Sequence, residues 1–332
     1  MAVSVALLGA GRIGKVHAKA IAATEGARLV AVADAFAEAA EGLAAAYGAR
    51  VGKIDEIAGA QDIDAVVICT PTDTHADLIE RFARVGKAIF CEKPIDLSLD
   101  RVRSCLKTVE EAGVPFMLGF NRRFDPHFQA LRAAIDEGRI GDVEMVQITS
   151  RDPGAPPPSY ITSSGGIFRD MTIHDFDMAR FLLGEEIATV YATASVLVDP
   201  EIGKLGDYDS ATVVLTTASG KHCAISNSRR ATYGYDQRIE VHGSKGVVSV
   251  ENQRPVSIEV ATAEGYLRPP LHDFFMTRYI DAYAAEIAAF VQAMEQNKQP
   301  SPGGQDGLKA LALAEAALKS IHERRAVGLD EI

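Results

Sequence analysis

The sequence predicts an α/β protein. Its N-terminal part is a doubly wound parallel sheet, and an α+β domain with a large, mainly antiparallel, open-faced sheet follows. Apolar runs and helical stretches alternate from Val3 to Gly119, a glycine hexad sits between the first run and the first helix, and β-rich runs follow one another from Thr189 with only turn signals between them.

The first apolar run, Val3 to Leu8, leads into Gly9-Ala10-Gly11-Arg12-Ile13-Gly14. A helix is expected from Ile13 to Ala23, a strand from Arg28 to Ala33, and Asp34 closes that strand twenty residues after Gly14. This is the whole dinucleotide fingerprint of a Rossmann βαβ unit. Gly9 permits the tight turn, Gly11 lets the backbone approach a pyrophosphate, and Gly14 lets the helix lie close to the strand. The helix start offers free N–H groups and a positive dipole end to the phosphates. A carboxylate at Asp34 can accept both ribose hydroxyls of NAD and would repel the 2′-phosphate of NADP, so NAD is the expected cofactor. Further strands are expected at 49–51, 65–69, 88–91 and 115–119, with helices at 74–85 and 98–112 between the later ones. Ligand contacts in such sheets come from the carboxyl ends of the strands, here Gly9 to Gly14, Asp34, Thr70 to His75 and Glu92-Lys93-Pro94.

After Phe120 the rhythm changes, which places a domain boundary there: 1–120 for the dinucleotide and 121–332 for substrate binding and oligomerisation. A helix at 126–137, a strand at 143–150, a Pro-rich loop at 153–158 and a helix at 174–183 precede strands at 189–198, 208–217, 221–228, 236–242 and 246–251. Helical stretches at 277–296 and 304–325 close the chain, covering one sheet face or returning to the first domain. A sheet covered on one side only has a broad open face, on which a homo-oligomer, a tetramer, is expected to form.

Composition narrows the partners. The 332 residues exceed the span of one core, 47% are hydrophobic, and 45 acidic against 34 basic residues give a net charge of −11. No basic run exceeds Arg122-Arg123 or Arg229-Arg230, which argues against nucleic acid and anionic membranes. No signal-peptide pattern and no membrane-length apolar stretch is visible, so a cytoplasmic protein is expected. Cys69, Cys91, Cys105 and Cys223 have no ligand spacing and read as small buried hydrophobes.

Two groups of residues can do chemistry. Lys93 follows a strand that ends beside the cofactor edge, where an ammonium can orient or polarise an alcohol or carbonyl. The second group follows the pair Gly165-Gly166: Asp170, His174 and Asp177 are spaced i, i+4, i+7 and on a continuous helix would share one face. Histidine can take a proton near neutral pH, and a neighbouring carboxylate fixes its tautomer, which makes His174 a candidate general base with Asp170 as its support. A capping and ion-pair arrangement competes with this reading, as does a divalent-metal site. No further His or Cys of ligand spacing supports a metal, and none is expected.

The glycine hexad, Glu92-Lys93-Pro94 after the fifth strand, and Gly165-Gly166 followed by Asp170 and His174 together resemble the glucose–fructose oxidoreductase and inositol dehydrogenase (Gfo/Idh/MocA) family over essentially the whole chain. The resemblance implies a catalytic set of Lys93, Asp170 and His174, with His174 accepting the hydroxyl proton. It implies cofactor contacts at Gly9, Gly11, Arg12, Ile13, Gly14, Asp34, Thr70, Pro71, Thr72, His75, Glu92 and Lys93. Asn121, Arg122, Arg123, Asp152 and the segment Tyr233 to Asp236, with Tyr235, match substrate-lining positions. The implied activity is NAD-dependent oxidation of a secondary hydroxyl of a cyclic polyol, foremost myo-inositol to its 2-keto product. Alternatives are another inositol isomer, a pyranose sugar, an NAD-dependent glycosidase or lyase, and a cofactor-sensing regulator. Where some members carry His-Arg-Asn-Pro, this chain has Ser150-Arg151-Asp152-Pro153, which keeps hydrogen-bonding capacity but changes its chemistry.

Overall fold

A computed structural model describes residues 2–332 and divides them into two compact units. The first runs to Asp125 and takes up again over Ile280–Leu311, and the second comprises Pro126–Tyr279 and Ala312–Ile332. The sequence division at residue 120 put everything after it in one domain, whereas Ile280–Leu311 is counted here with the parallel sheet.

The first unit alternates β1 (Val3–Leu8), α1 (Arg12–Ala23), β2 (Ala27–Ala33), α2 (Ala37–Tyr47), β3 (Arg50–Val51), α3 (Ile54–Gly59), β4 (Ala65–Ile68), α4 (His75–Arg84), β5 (Ala88–Glu92), α5 (Leu99–Ala112) and β6 (Phe116–Gly119). The strands form one parallel sheet in the order β3-β2-β1-β4-β5-β6. Every residue of the central strands β1, β4 and β5 and of the edge strand β6 is buried, as expected for a parallel sheet covered on both faces. The order reverses between β1 and β4, and ligands of such sheets bind beyond the carboxyl ends at that reversal.

The second unit contains α6 (Pro126–Asp136), β7 (Val143–Arg151), α7 (Pro158–Ser164), α8 (Ile173–Leu183), β8 (Ile187–Ser195), α9 (Pro200–Lys204), β9 (Ser210–Thr217), β10 (His222–Ser228), β11 (Asp236–Gly243), β12 (Gly246–Val250), the hairpin β13 (Val260–Thr262) and β14 (Gly265–Leu267), and α10 (Phe275–Arg278). Then α11 (Ile280–Glu295) returns to the first unit, α12 (Gly304–Glu323) serves both, and β15 (Val327–Gly328) ends the second sheet. That sheet has seven strands in the order β12-β11-β7-β10-β9-β8-β15. It is antiparallel except for the pair β7 and β10, which the meander reading did not foresee.

Register explains its two faces. Val190, Leu215, Cys223, Val146 and Val241 lie side by side across five strands and are buried. The next row, Tyr191, Val214, Ala224, Gln147 and Glu240, points the other way and is exposed or half-exposed. The period of two in side-chain direction alone produces this contrast. On the covered face α8 packs against β7 and β10, and the Ser320 hydroxyl of α12 accepts the Ala192 N–H of β8 at 3.0 Å. Among the described residues no helix is long and apolar enough to cross a membrane.

Candidate active site

In the first unit the glycine turn is set by close contacts. Gly9 has φ +98°, and a Cβ there would lie 2.5 Å from the Cys69 carbonyl oxygen, so only glycine fits. A Cβ at Gly14 would lie 2.0 Å from the Gly9 carbonyl oxygen, which is the close passage of α1 over the turn. At Gly11 it would meet no protein atom within 4 Å. Packing therefore does not demand glycine at Gly11, and the fingerprint assigns that space to a pyrophosphate. Gly11 is also the N-cap of α1 and offers no side chain to its first N–H groups, which suits an anion there. Asp34 accepts the Ala10 N–H at 2.6 Å and the Phe36 N–H at 2.8 Å, tying the end of β2 to the glycine turn. Each carboxylate oxygen retains further acceptor capacity for a ribose hydroxyl.

Beyond β4, Thr70 and Thr74 share a hydroxyl contact of 2.6 Å, and Thr72–Thr74 form a 3₁₀ turn. His75 is buried, with Nδ1 2.7 Å from the Pro94 carbonyl and Nε2 2.8 Å from the Thr70 carbonyl. Burial holds its pKa below the usual histidine value, against the opposing pull of the two carbonyls. His75 thus cross-links the loop after β4 to the loop carrying Lys93, and a cofactor would feel it through those loops. Glu92, the last residue of β5, lies 2.6 Å from Nε2 of the wholly buried His17. Lys93 is half-buried and its bond to Pro94 is cis. Asn121 and Arg122 are buried in a 3₁₀ turn after β6, while Arg123 pairs with Asp306 at 2.9 Å.

In the second unit Asp170 lies in a π-helical turn, Phe168–Thr172, and His174 in the first turn of α8. The expected continuous α-helix is thereby corrected: the π turn winds more residues per turn, so a spacing of i, i+4, i+7 no longer sets one face. Asp177 is buried, 3.9 Å from Arg180, and Asp170, His174 and Asp177 are not among the described groupings close enough to share one ion.

Asp170 is held from two sides. Tyr160 donates its hydroxyl to Oδ1 at 2.9 Å, and the Arg229 guanidinium reaches Oδ2 at 3.3 Å. Arg229 is 1% exposed and also lies 3.7 Å from Asp152, so one buried cation stands between two carboxylates. Behind His174, Asp175 accepts from Ser150 at 2.6 Å and from Asn227 at 2.8 Å, and Thr172 donates to Asn227 at 2.7 Å. Ser150, Asp175 and Asn227 are all buried, and together they anchor α8 to β7 and β10. Ser150 therefore braces α8 from below. Tyr235 is buried against Phe274 and Tyr279, with ring centroids 6.4 and 6.0 Å away.

Residues 3–120 match the model of the oxidoreductase family with an NAD-binding Rossmann fold, and residues 128–249 match the GFO/IDH/MocA C-terminal domain. The inositol 2-dehydrogenase of Rhizobium meliloti (strain 1021) is 70% identical over 99% of this chain and 100% of its own. The chain belongs to the GFO/IDH/MocA oxidoreductase family. A crystal structure of a myo-inositol dehydrogenase from Corynebacterium glutamicum is 46% identical, with TM-score 0.95 over 99% of both chains. The scyllo-inositol dehydrogenase of Lactobacillus casei, solved with bound NAD(H) and scyllo-inositol, is 28% identical, with TM-score 0.92 over 99% of this chain and 100% of that one.

The family's cofactor is NAD, and the open space at Gly11, the uncapped start of α1 and the Asp34 carboxylate fit it. As a GFO/IDH/MocA oxidoreductase the chain also carries residues that sequence reasoning passed over. Arg229 was visible only as half of a basic pair, and Tyr160, Asp175 and Asn227 stood in no motif. The roles of Arg229, Asp175 and Asn227 depend on β7 and β10 running parallel side by side, a long-range pairing with no local signature, and Tyr160 reaches Asp170 from α7.

Proposed function

We propose that the protein is an NAD-dependent inositol dehydrogenase that oxidises one secondary hydroxyl of myo-inositol to the 2-keto product. The carrying observation is Asp170, fixed by buried Arg229 and by Tyr160 four residues before His174, in a chain 70% identical to an inositol 2-dehydrogenase. NAD, when bound, accepts the hydride from the carbinol carbon at nicotinamide C4. His174 takes the hydroxyl proton, so alcohol and NAD become ketone, NADH and one proton. Asp170 keeps His174 oriented and balances the charge it gains. Arg229 holds the Asp170 carboxylate in place from its Oδ2 side. Lys93 donates a hydrogen bond to the reacting oxygen and steadies the negative charge it gains as the proton leaves. Asn121, Arg123, Asp152 and Tyr235 belong to the substrate's surroundings in this reading, Asp152 by binding hydroxyls and Tyr235 as a packed wall. Arg12, Ile13, Thr70, Pro71, Thr72, His75 and Glu92 belong to those of the cofactor.

Asp34→Ala should weaken NAD about 10- to 100-fold, the worth of a charge-assisted hydrogen bond of about 1.5–3 kcal/mol, and should leave NADP binding little changed. Titration of both nucleotides by fluorescence checks this, and equal weakening would make Asp34 a structural residue alone.

The same reading has the protein acting in the cytoplasm as a homotetramer built on the outer sheet face, where Tyr191 and Val214 are cross-strand neighbours 48% and 39% exposed. Exposed apolar side chains in register favour burial against a second copy. Val214→Glu should shift the light-scattering mass toward smaller species, and an unchanged mass would move the interface elsewhere.

A further inference from the structure

The first unit holds a charged cluster that the reaction as described leaves unused. His17 on α1, Glu92 at the end of β5 and Glu286 on α11 each bring one ligand atom within 4.8 Å of the others, and all three residues are buried. His17 and Glu286 are 0% exposed. Both carboxyl oxygens of Glu286 and Nδ1 of His17 lack a hydrogen-bond partner. Orphaned buried polar atoms are costly, about 1–3 kcal/mol each, so three in one place require a common explanation. We infer that Glu286 is a positioning residue for the dehydrogenase: it sits in the fold as the neutral carboxylic acid, shares its proton with the Glu92–His17 pair, and thereby holds the strand end that presents Lys93. This rests on the role given to Lys93 above.

Counting donors leads there. If Glu92 is ionised and accepts from His17 Nε2–H, then Nδ1 is a bare acceptor, and an ionised Glu286 would add only acceptors and a second negative charge. One proton on Glu286 removes that charge and gives a cluster otherwise made of acceptors a donor, within 4.8 Å of the Glu92–His17 pair. Like charges in a dry site cannot both persist, and burial with Glu92 nearby pushes the Glu286 carboxyl well above the usual range. Divalent metal is the other way to neutralise the pair, and geometry disfavours it. Two ligands on a tetrahedral ion with bonds of about 2.0–2.1 Å stand about 3.3 Å apart, whereas His17 Nε2 and Glu92 Oε1 are 2.6 Å apart, a direct hydrogen bond. The groups around Glu286 are His17 from α1, Glu92 from β5, the buried Cys69 thiol after β4, and Tyr283 on its own helix, whose ring meets His17 at 5.5 Å. The turn Asn121–Phe124, also packed on α11, carries Arg122 and Arg123, and neither hydrogen-bonds the Glu286 oxygens.

Glutamate-selective carboxyl NMR of the wild-type enzyme and of Glu286→Gln provides the test. One carboxyl signal, absent from Glu286→Gln, should still stand at the protonated position at a pH where the other glutamates have ionised, because burial beside Glu92 raises that carboxyl. Gln mimics the neutral acid, so Glu286→Gln should keep near-wild-type kcat/KM and NAD affinity at neutral pH while its alkaline limb moves to higher pH. Stability carries the same sign. The native protein keeps a proton that the unfolded chain releases above about pH 4.3, so this group's contribution falls as pH rises from there toward the raised native value. The melting-temperature advantage of Glu286→Gln over wild type should therefore widen with pH. A carboxylate signal throughout, or a stoichiometric divalent metal in the purified enzyme whose chelation lowers its melting temperature, would overturn the inference. The carboxyl signal is read without turnover, so a fully active Lys93→Met variant would remove the role of Lys93 and leave the buried proton standing.

Discussion

His174→Ala should lose about 10²- to 10⁴-fold in kcat while NAD affinity stays near wild type, the usual contribution of a positioned general base. The reason is local. His174 lies in the second unit, in the first turn of a helix whose underside is fixed by Asp175, Ser150 and Asn227, and the glycine turn and Asp34 lie in the first. Under the proposal, truncating its imidazole removes the proton acceptor and leaves the glycine turn and Asp34 unchanged. Single-turnover NADH formation at saturating polyol, beside nucleotide titration, separates the two effects. Turnover that survives the substitution would place the base elsewhere.

Arg229→Met should have the second-largest effect, and it should appear in stability as well as rate. Removing one member of a fully buried ion group typically costs about 3–5 kcal/mol, and the cost here should be smaller because Asp152 and Asp170 are only partly buried and water screens them. Here two carboxylates, Asp152 and Asp170, would be left facing each other across the vacated position. Asp170 would then lose the guanidinium that holds its Oδ2 and would support His174 less well. Adding Asp152→Asn should restore part of both the melting temperature and kcat, since only one carboxylate then needs neutralising. Full additivity of the two changes would show that Arg229 does not couple the pair.

Local signals made the first unit legible. The strand, glycine turn, helix and terminal Asp34 are consecutive in the chain, and buried parallel strands announce themselves as unbroken apolar runs such as Ala65–Ile68 and residues 88–91. The family resemblance placed Lys93, Asp170 and His174 in one set, and their mutual arrangement rests on the proposals above. Other features were hidden because their causes are distant or short. β15 spans Val327–Gly328 only, too brief for any periodicity, and is a strand because β8 offers it a pairing edge. The expected helix 277–296 is two elements, α10 and α11, split at Tyr279 where the chain passes from one unit to the other. The π turn at Phe168–Thr172 follows from tertiary fit, since nothing in its composition separates it from an α turn. Ser150 reads only as keeping hydrogen-bonding capacity in the segment 150–153, and β7 directs that capacity inward onto Asp175, because alternation along a strand shows the side and never the neighbour.

The central claim is that this chain moves a hydride from an inositol to NAD. It is tested most directly by NADH absorbance on mixing purified protein with NAD and, separately, myo-inositol, scyllo-inositol, D-glucose and D-xylose, with NADP replacing NAD for the best substrate. The account predicts strong NADH formation with myo-inositol, weaker formation with the sugars, and little with NADP. Absence of NADH formation from every polyol, in a protein that still binds NAD, would contradict it.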